Sequence, residues 1–332
     1  MNSRPAHIIS RVKKLCVLAG VLAIAAPAFA CPIPVYQYSL EWWESDPYEI
    51  YVFDNGELTD EEQAAIDKLK RISEGGEDNV PANLRLRTVQ SDDEERLKAH
   101  SALRGENPDS FPWVAVYYPS ISSNVRTPVW MGPLNEENLD ALLDSPARQE
   151  ITEALVDRTS VVWVLLESGD SSSDNEAYSL LERETKRLEE TLVKPDLAEW
   201  GMDDIPITDI KFKTMRVSRD DEAERMFVRM LMNSEVDLED YVDEPMVFPI
   251  FGRGLVMEAL IGRGINRHMI LDTAEFLTGP CSCTVKSLNP GTDLLTSVAW
   301  DDRIEPYSEE WDDAEPGGLG GFMDSADQIE NF

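Results

Sequence analysis

The side chains best suited to chemistry are Cys281 and Cys283, separated only by Ser282. Thiolates are nucleophiles and soft metal ligands, so two of them one residue apart restrict the options. In an oxidising compartment they could close a small, strained disulfide of the easily reduced kind. They could instead hold Cu(I) as two thiolates, helped by a methionine such as Met257 or Met269. As a third option, one of them pairs with Cys31, or the thiols serve no chemistry at all. The second candidate is a pair of glycine-flanked arginines, Arg253 in Gly252-Arg-Gly254 and Arg263 in Gly262-Arg-Gly264. Glycine lets a ligand approach the backbone, and a guanidinium grips carboxylate or phosphate with two bonds, so an anion pocket is one reading. The plainer reading is a pair of turns whose arginines are solvated or ion-paired. Ser168-Gly-Asp-Ser-Ser-Ser-Asp174 reads as a polar turn capping a helix rather than a nucleophile site.

Several chemistries are disfavoured. Beyond residue 30 the histidines are His100 and His268, neither near another ligand in sequence, which argues against a histidine-based zinc enzyme and a Ser-His-Asp hydrolase. No D-x-D-x-D-G calcium loop is present, and Gly252-Arg-Gly254 is not a nucleotide loop. With 30 basic and 64 acidic residues the net charge is −34, and nucleic acid is a poor partner for such a surface.

The elements that must position these groups begin after an export signal. Arg4, Arg11, Lys13 and Lys14 precede an apolar run from Leu15 to Ala26 and the small-x-small site Ala28-Phe-Ala30. This is the pattern of a cleavable secretory signal peptide over residues 1–30, too short in its apolar part to span a bilayer. Cleavage removes four basic residues and no acidic ones, leaving a net −38. Cys31 at the new terminus also admits lipoprotein processing, and membrane attachment is expected only if Cys31 is lipidated. Phe29 and the missing leucine of the lipoprotein signal favour ordinary cleavage. The expected location is therefore periplasmic or extracellular.

About 300 residues remain, enough for two domains. Tyr48 to Phe53 alternates as a strand, and Thr59 with Glu62 forms a capping box for a helix ending near Gly75-Gly76. A strand over 84–89, a helix over 92–103, strands over 111–118 and 127–131, and helices from Asn135 and Pro146 follow. The order is β-α-β-α-β-β-α. It repeats from Ser160: a strand to 166, a helix over 175–193, a strand over 211–217, a helix over 220–234, strands over 245–251 and 255–260, and a helix over 265–277. Pro112 and Pro245 each stand at the entry to the third strand. From Asp301 the composition turns acidic and turn-rich, which reads as a disordered tail.

Element order and the two prolines resemble the thioredoxin fold twice over, with Pro112 and Pro245 at the position of its cis-proline. The resemblance implies an α/β chain with thioredoxin-like domains at 31–157 and 158–300 and a tail at 301–332. A redox-active thioredoxin carries Cys-x-x-Cys where the first strand meets the first helix. Here those positions, 54–59 and 168–174, hold no cysteine, which points to non-catalytic binding or spacer modules. Cys31-Pro-Ile-Pro-Val-Tyr-Gln-Tyr38, Phe248-Pro-Ile-Phe-Gly-Arg-Gly254 and Gly279-Pro-Cys-Ser-Cys-Thr-Val-Lys286 also resemble a family of exported bacterial proteins with no assigned activity. The expectation is an exported, non-enzymatic binding or assembly module of the cell envelope, without a cofactor and with a protein or envelope partner. The alternative is a thiol-disulfide redox or copper-handling protein using Cys281 and Cys283.

Overall fold

The computed structural model describes residues 31–54, 56, 58–75, 80–90, 112–119, 128–200, 202, 204–281 and 291–306; the side chains of Cys31, Gln90, Glu199 and Trp200 also lie outside the description. The expected signal peptide, the expected helix over 92–103, His100, Cys283 and residues from 307 on therefore fall outside the described residues. In chain order the elements are β1 (Cys31–Pro34), α1 (Val35–Trp42), β2 (Tyr48–Asp54), α2 (Asp60–Glu74), β3 (Leu84–Gln90), β4 (Trp113–Tyr117), β5 (Trp130–Pro133), α3 (Glu136–Leu143), α4 (Pro146–Val156) and β6 (Val161–Leu166). Then come α5 (Ser171–Thr191), β7 (Phe212–Val217), α6 (Arg225–Met232), β8 (Met246–Phe251), β9 (Leu255–Val256), β10 (Leu260–Ile261), α7 (Arg267–Thr278), β11 (Pro280–Cys281), β12 (Thr292–Asp293) and α8 (Trp300–Arg303). The chain is a mixed α/β protein. Among the described residues no helix is long and apolar enough to cross a membrane.

Two sheets repeat one plan. In the first the order is β3-β2-β4-β5, with β2 parallel to β3 and antiparallel to β4. In the second, β6 is parallel to β7 and antiparallel to β8, which in turn pairs with β9 and β10. Pro112 and Pro245 sit immediately before β4 and β8, and their carbonyls accept the same kind of bond: Leu134 N donates to Pro112 O at 3.1 Å and Gly262 N to Pro245 O at 2.9 Å. The strand read over 255–260 is two short pieces. Pro249 of β8 accepts from Met257 N at 2.9 Å but has no N–H to return the bond, so the ladder breaks between β9 and β10.

Local signals place most ends. The Thr59–Glu62 capping box starts α2, Asn135 caps α3, and Ser145 with Pro146 at the first position starts α4. The expected helix over 175–193 starts four residues earlier, because Asp170 accepts from both Ser172 N and Ser173 N. The expected helix over 220–234 is a short 3₁₀ turn followed by α6, and the strand expected over 127–131 lies at 130–133.

Alternating side chains of each central strand fill two cores. Tyr48, Ile50 and Val52 of β2 and Val162, Val164 and Leu166 of β6 face one continuous cluster, with α2, α3, α4 and α6 between the sheets. Val161, Trp163 and Leu165 face the other way, onto α5, α7 and α1. That corrects the grouping of residues 31–43 with the first half. Ile33, Val35, Tyr36 and Trp43 lie in the second core, and α1 is fixed there by Tyr36 Oη donating to Thr208 O at 2.9 Å and Gln37 Nε2 to Pro206 O at 3.0 Å.

The tail boundary at 301 also moves. Residues 291–306 run as a strap from the second sheet back to the first half: β12 pairs with β9, Leu294 and Leu295 enter the shared core, and α8 and buried Ile304 follow. Tyr48 Oη donates to Asp293 O at 2.8 Å, and Tyr118 Oη donates to Met230 O. Burial holds both phenols well above the ordinary tyrosine range, with Asp293 adding to the effect at Tyr48 and Tyr48 itself at Tyr118. A folded pKa raised above the unfolded value means stability fully present below pH 10 and lost as pH rises beyond it. Absorbance near 295 nm is therefore expected to show these two phenols ionising only together with unfolding, and Tyr48→Phe to flatten the alkaline limb of the stability curve.

Candidate functional site

At the two strand-to-helix turns, over 54–59 and 168–174, carboxylates accept bonds from the turns themselves. In the second half Asp174, 2 % exposed, accepts from Ser168 N at 2.8 Å, Ser168 Oγ at 2.9 Å and Gly169 N at 3.1 Å. Gly169 takes φ +94°, a conformation that glycine tolerates best, and Asp170 caps α5. In the first half Asp54 Oδ1 accepts from Gly56 N at 2.9 Å, and Thr59 N donates to Glu62 Oε2 at 2.8 Å. Among the described residues, the amides of Gly56, Thr59, Glu62, Ser168, Gly169, Ser172 and Ser173 at these turns are bonded within the chain.

Arg253 is placed by its turn for a structural task. Its guanidinium is buried; Nε donates to Leu40 O at 2.9 Å and Nη2 to Glu41 O at 3.2 Å, while Nη1 lies 2.8 Å from Asp301. It thus satisfies carbonyls left over at the end of α1 and ties down α8. Gly252 stands at φ +59°, and a Cβ there would meet Ser39 Oγ at 2.5 Å, so this glycine serves close packing against α1. Arg263 is exposed in a 3₁₀ turn before α7. Arg253 is thus bonded within the fold while Arg263 lies at the surface, an arrangement that agrees with the plainer reading of two turns.

Cys281 is 1 % exposed and belongs to the second core with Ile33, Val35 and Leu277. β11 pairs with β1, so the Cα atoms of Cys31 and Cys281 are register partners. Met257 packs against the same core, whereas Met269 is exposed on α7. His268 Nδ1 lies 3.2 Å from Asp272 on the surface of α7.

Sequence reasoning missed the cleft beside the strap. Two adjoining cavities of about 300 Å³ and about 350 Å³ share Thr296, Val298 and Ala299 as a common wall. The first is flanked by Glu44, Asn83, Arg253 and Trp300, the second by Arg148, Thr152, Glu153 and Arg303. Thr296 Oγ1 and Trp300 Nε1 are buried there with no hydrogen-bond partner among the described residues. Arg148, fully buried, donates to Ala141 O at 2.7 Å, Leu142 O at 2.8 Å and Leu295 O at 2.9 Å, and burial pushes it down to about 10. The apolar run Leu294-Leu295 ahead of Val298 and Trp300 was the available signal that residues beyond Pro290 return to the core.

Arg253→Met is expected to lower stability by about 2–4 kcal/mol in urea unfolding, because buried carbonyls and Asp301 lose their partner, whereas Arg263→Met stays within about 0.5 kcal/mol. Equal effects would contradict the structural assignment of Arg253.

A scan against protein-family models and a search of curated proteins each found no match to this chain.

Proposed function

We propose that this protein is an exported, non-enzymatic module of two tandem thioredoxin-like halves that binds a protein or envelope partner. One observation carries the reading: each strand-to-helix turn is closed by carboxylates and carries no thiol among its described residues, so neither half has a nucleophile where the fold would use one. Parallel β2–β3 and β6–β7 pairs, antiparallel third strands and the matched prolines before β4 and β8 support the thioredoxin-like kinship of both halves. The leader over residues 1–30 and the net −38 that remains after its removal support an exported protein with no nucleic-acid partner. The resemblance of segments 31–38, 248–254 and 279–286 to a family of exported bacterial proteins is in keeping with export.

Redox or copper chemistry at Cys281 and Cys283 is less well supported. Reactive thiols sit in partly exposed, electropositive surroundings that lower their pKa, whereas Cys281 is packed against Ile33 and Leu277.

The cleft beside the strap is the place where a partner would read both halves at once. In a dithiothreitol-driven insulin reduction assay, wild type and Cys281→Ser are expected to match the uncatalysed rate; robust activity that disappears in Cys281→Ser would overturn the non-enzymatic reading. A photo-crosslinking side chain at Val298 is expected to capture a discrete envelope protein in vivo, while one at Val193, 86 % exposed on the far surface loop after α5, is not. Identical capture from both positions, or none from either, would contradict partner binding at the cleft.

A further inference from the structure

The first residues after the expected cleavage site do not trail into solvent. β1 lies antiparallel to β11, with Cys31 opposite Cys281 and Pro34 opposite Pro280. Residues directly opposite in an antiparallel pair have Cα atoms roughly 4.5 or 5.5 Å apart, and disulfides span Cα separations of about 4.4–6.8 Å. The side chain of Cys31 lies outside the description, so the backbone register carries the argument.

The ladder itself is poor. Pro32, Pro34 and Pro280 have no N–H to donate, and the register shifts between Cys31 and Pro34. Val35 N donates to Gly279 O at 3.0 Å just beyond the strand. Such a short, proline-rich pair holds a chain terminus weakly by hydrogen bonding alone. Nevertheless Ile33, Val35 and Tyr36 are buried immediately after it, and Cys281 is buried with them.

We infer that Cys31 and Cys281 form a cross-strand disulfide that staples the mature N-terminus to the end of α7, leaving Cys283 as the odd thiol. The inference rests on the export reading in one respect, since export supplies the oxidising compartment. The oxidant is a disulfide-donor protein or glutathione disulfide. One cysteine thiolate attacks the donor's S–S bond, forming a mixed disulfide and releasing one donor thiol. The second cysteine, as thiolate, then displaces the remaining donor sulfur. The chain loses two hydrogens as two protons and two electrons, and the donor becomes two thiols. The loop closed in this way encloses almost the whole folded chain, the case in which a cross-link restricts the unfolded state most.

The staple has a consequence for Cys31. A sulfur in a disulfide cannot carry a diacylglyceryl group, and the buried stretch from Ile33 to Tyr36 leaves no exposed tether between a lipid and the folded body. Lipidation and the staple are mutually exclusive.

The test is peptide mapping of the full-length gene product recovered from the periplasm, with thiols blocked by iodoacetamide under non-reducing conditions. The expected result is a Cys31–Cys281 linked peptide, with fragmentation between Cys281 and Cys283 placing the alkyl group on Cys283. In thermal unfolding, Cys31→Ser should lower Tm to the value that dithiothreitol gives wild type, dithiothreitol should not lower the Tm of Cys31→Ser further, and Cys283→Ser should leave Tm unchanged. A leaderless chain beginning at Cys31 that carries a Cys281–Cys283 bond, a Cys31–Cys283 bond, acylated Cys31 or three alkylated thiols would overturn the staple. If the protein is instead found only in the cytoplasm with its leader attached, the export reading fails on its own. The same protein is then treated with glutathione disulfide, where formation of the Cys31–Cys281 link upholds the staple and its failure to form refutes it.

Discussion

The two sheets share one layer of helices, and that constraint governs the rest of the molecule. Tyr48, Ile50 and Val52 on β2 and Val162, Val164 and Leu166 on β6 bury against the same cluster. Burial of apolar side chains is the main favourable term in folding, so neither half can expose its side of this layer without forfeiting it. Polar groups trapped at the joint cost least where they find partners within the protein. Arg148 does so by serving carbonyls of α3 and the strap together, and Glu224, beside α6, accepts from Ala147 N at 2.7 Å at the start of α4.

The strap follows from the same constraint. Asn83 Nδ2 donates to Leu294 O at 3.0 Å while its Oδ1 accepts from Thr296 N at 2.8 Å, so one side chain acts as a strand neighbour for the returning chain. Arg303 grips Glu153 with two bonds of 2.8 and 3.0 Å, and Arg158 joins Glu41 at 3.0 Å to the carbonyl of Glu305 at 2.7 Å. These links connect α1, α4 and the strap, which makes the cleft a composite of all three parts of the chain. At the helix starts, by contrast, the carboxylates of Asp54, Glu62 and Asp174 accept bonds from their own turns.

Much of this was legible in the sequence because it is local. The capping box at Thr59, the caps at Asn135 and Ser145, the buried apolar run of β6 and the prolines at 112 and 245 each act within a few residues. What was not legible depends on partners far along the chain. Cys31 to Trp42 gave no periodic signal because two prolines interrupt it, and its burial is decided by contacts with residues 206–208 and 279–281. Arg253 looked like an anion binder because glycine flanks and a guanidinium are common to ligand loops and to tight packing; only Leu40 and Glu41, more than two hundred positions away, distinguish them. The acidic composition after Asp301 masked Trp300 and Ile304, whose burial anchors the strap.

The most direct measurement of the central claim, that the two sheets form one unit and that Asp174 locks the 168–174 turn into it, is native-state hydrogen exchange at Ser168 and Gly169. Their amides are held by Asp174, so exchange is predicted only with global unfolding, at the same free energy as Ile50 in the first sheet and Val164 in the second. Exchange of Ser168 and Gly169 through local opening, or separate limits for Ile50 and Val164, would contradict it.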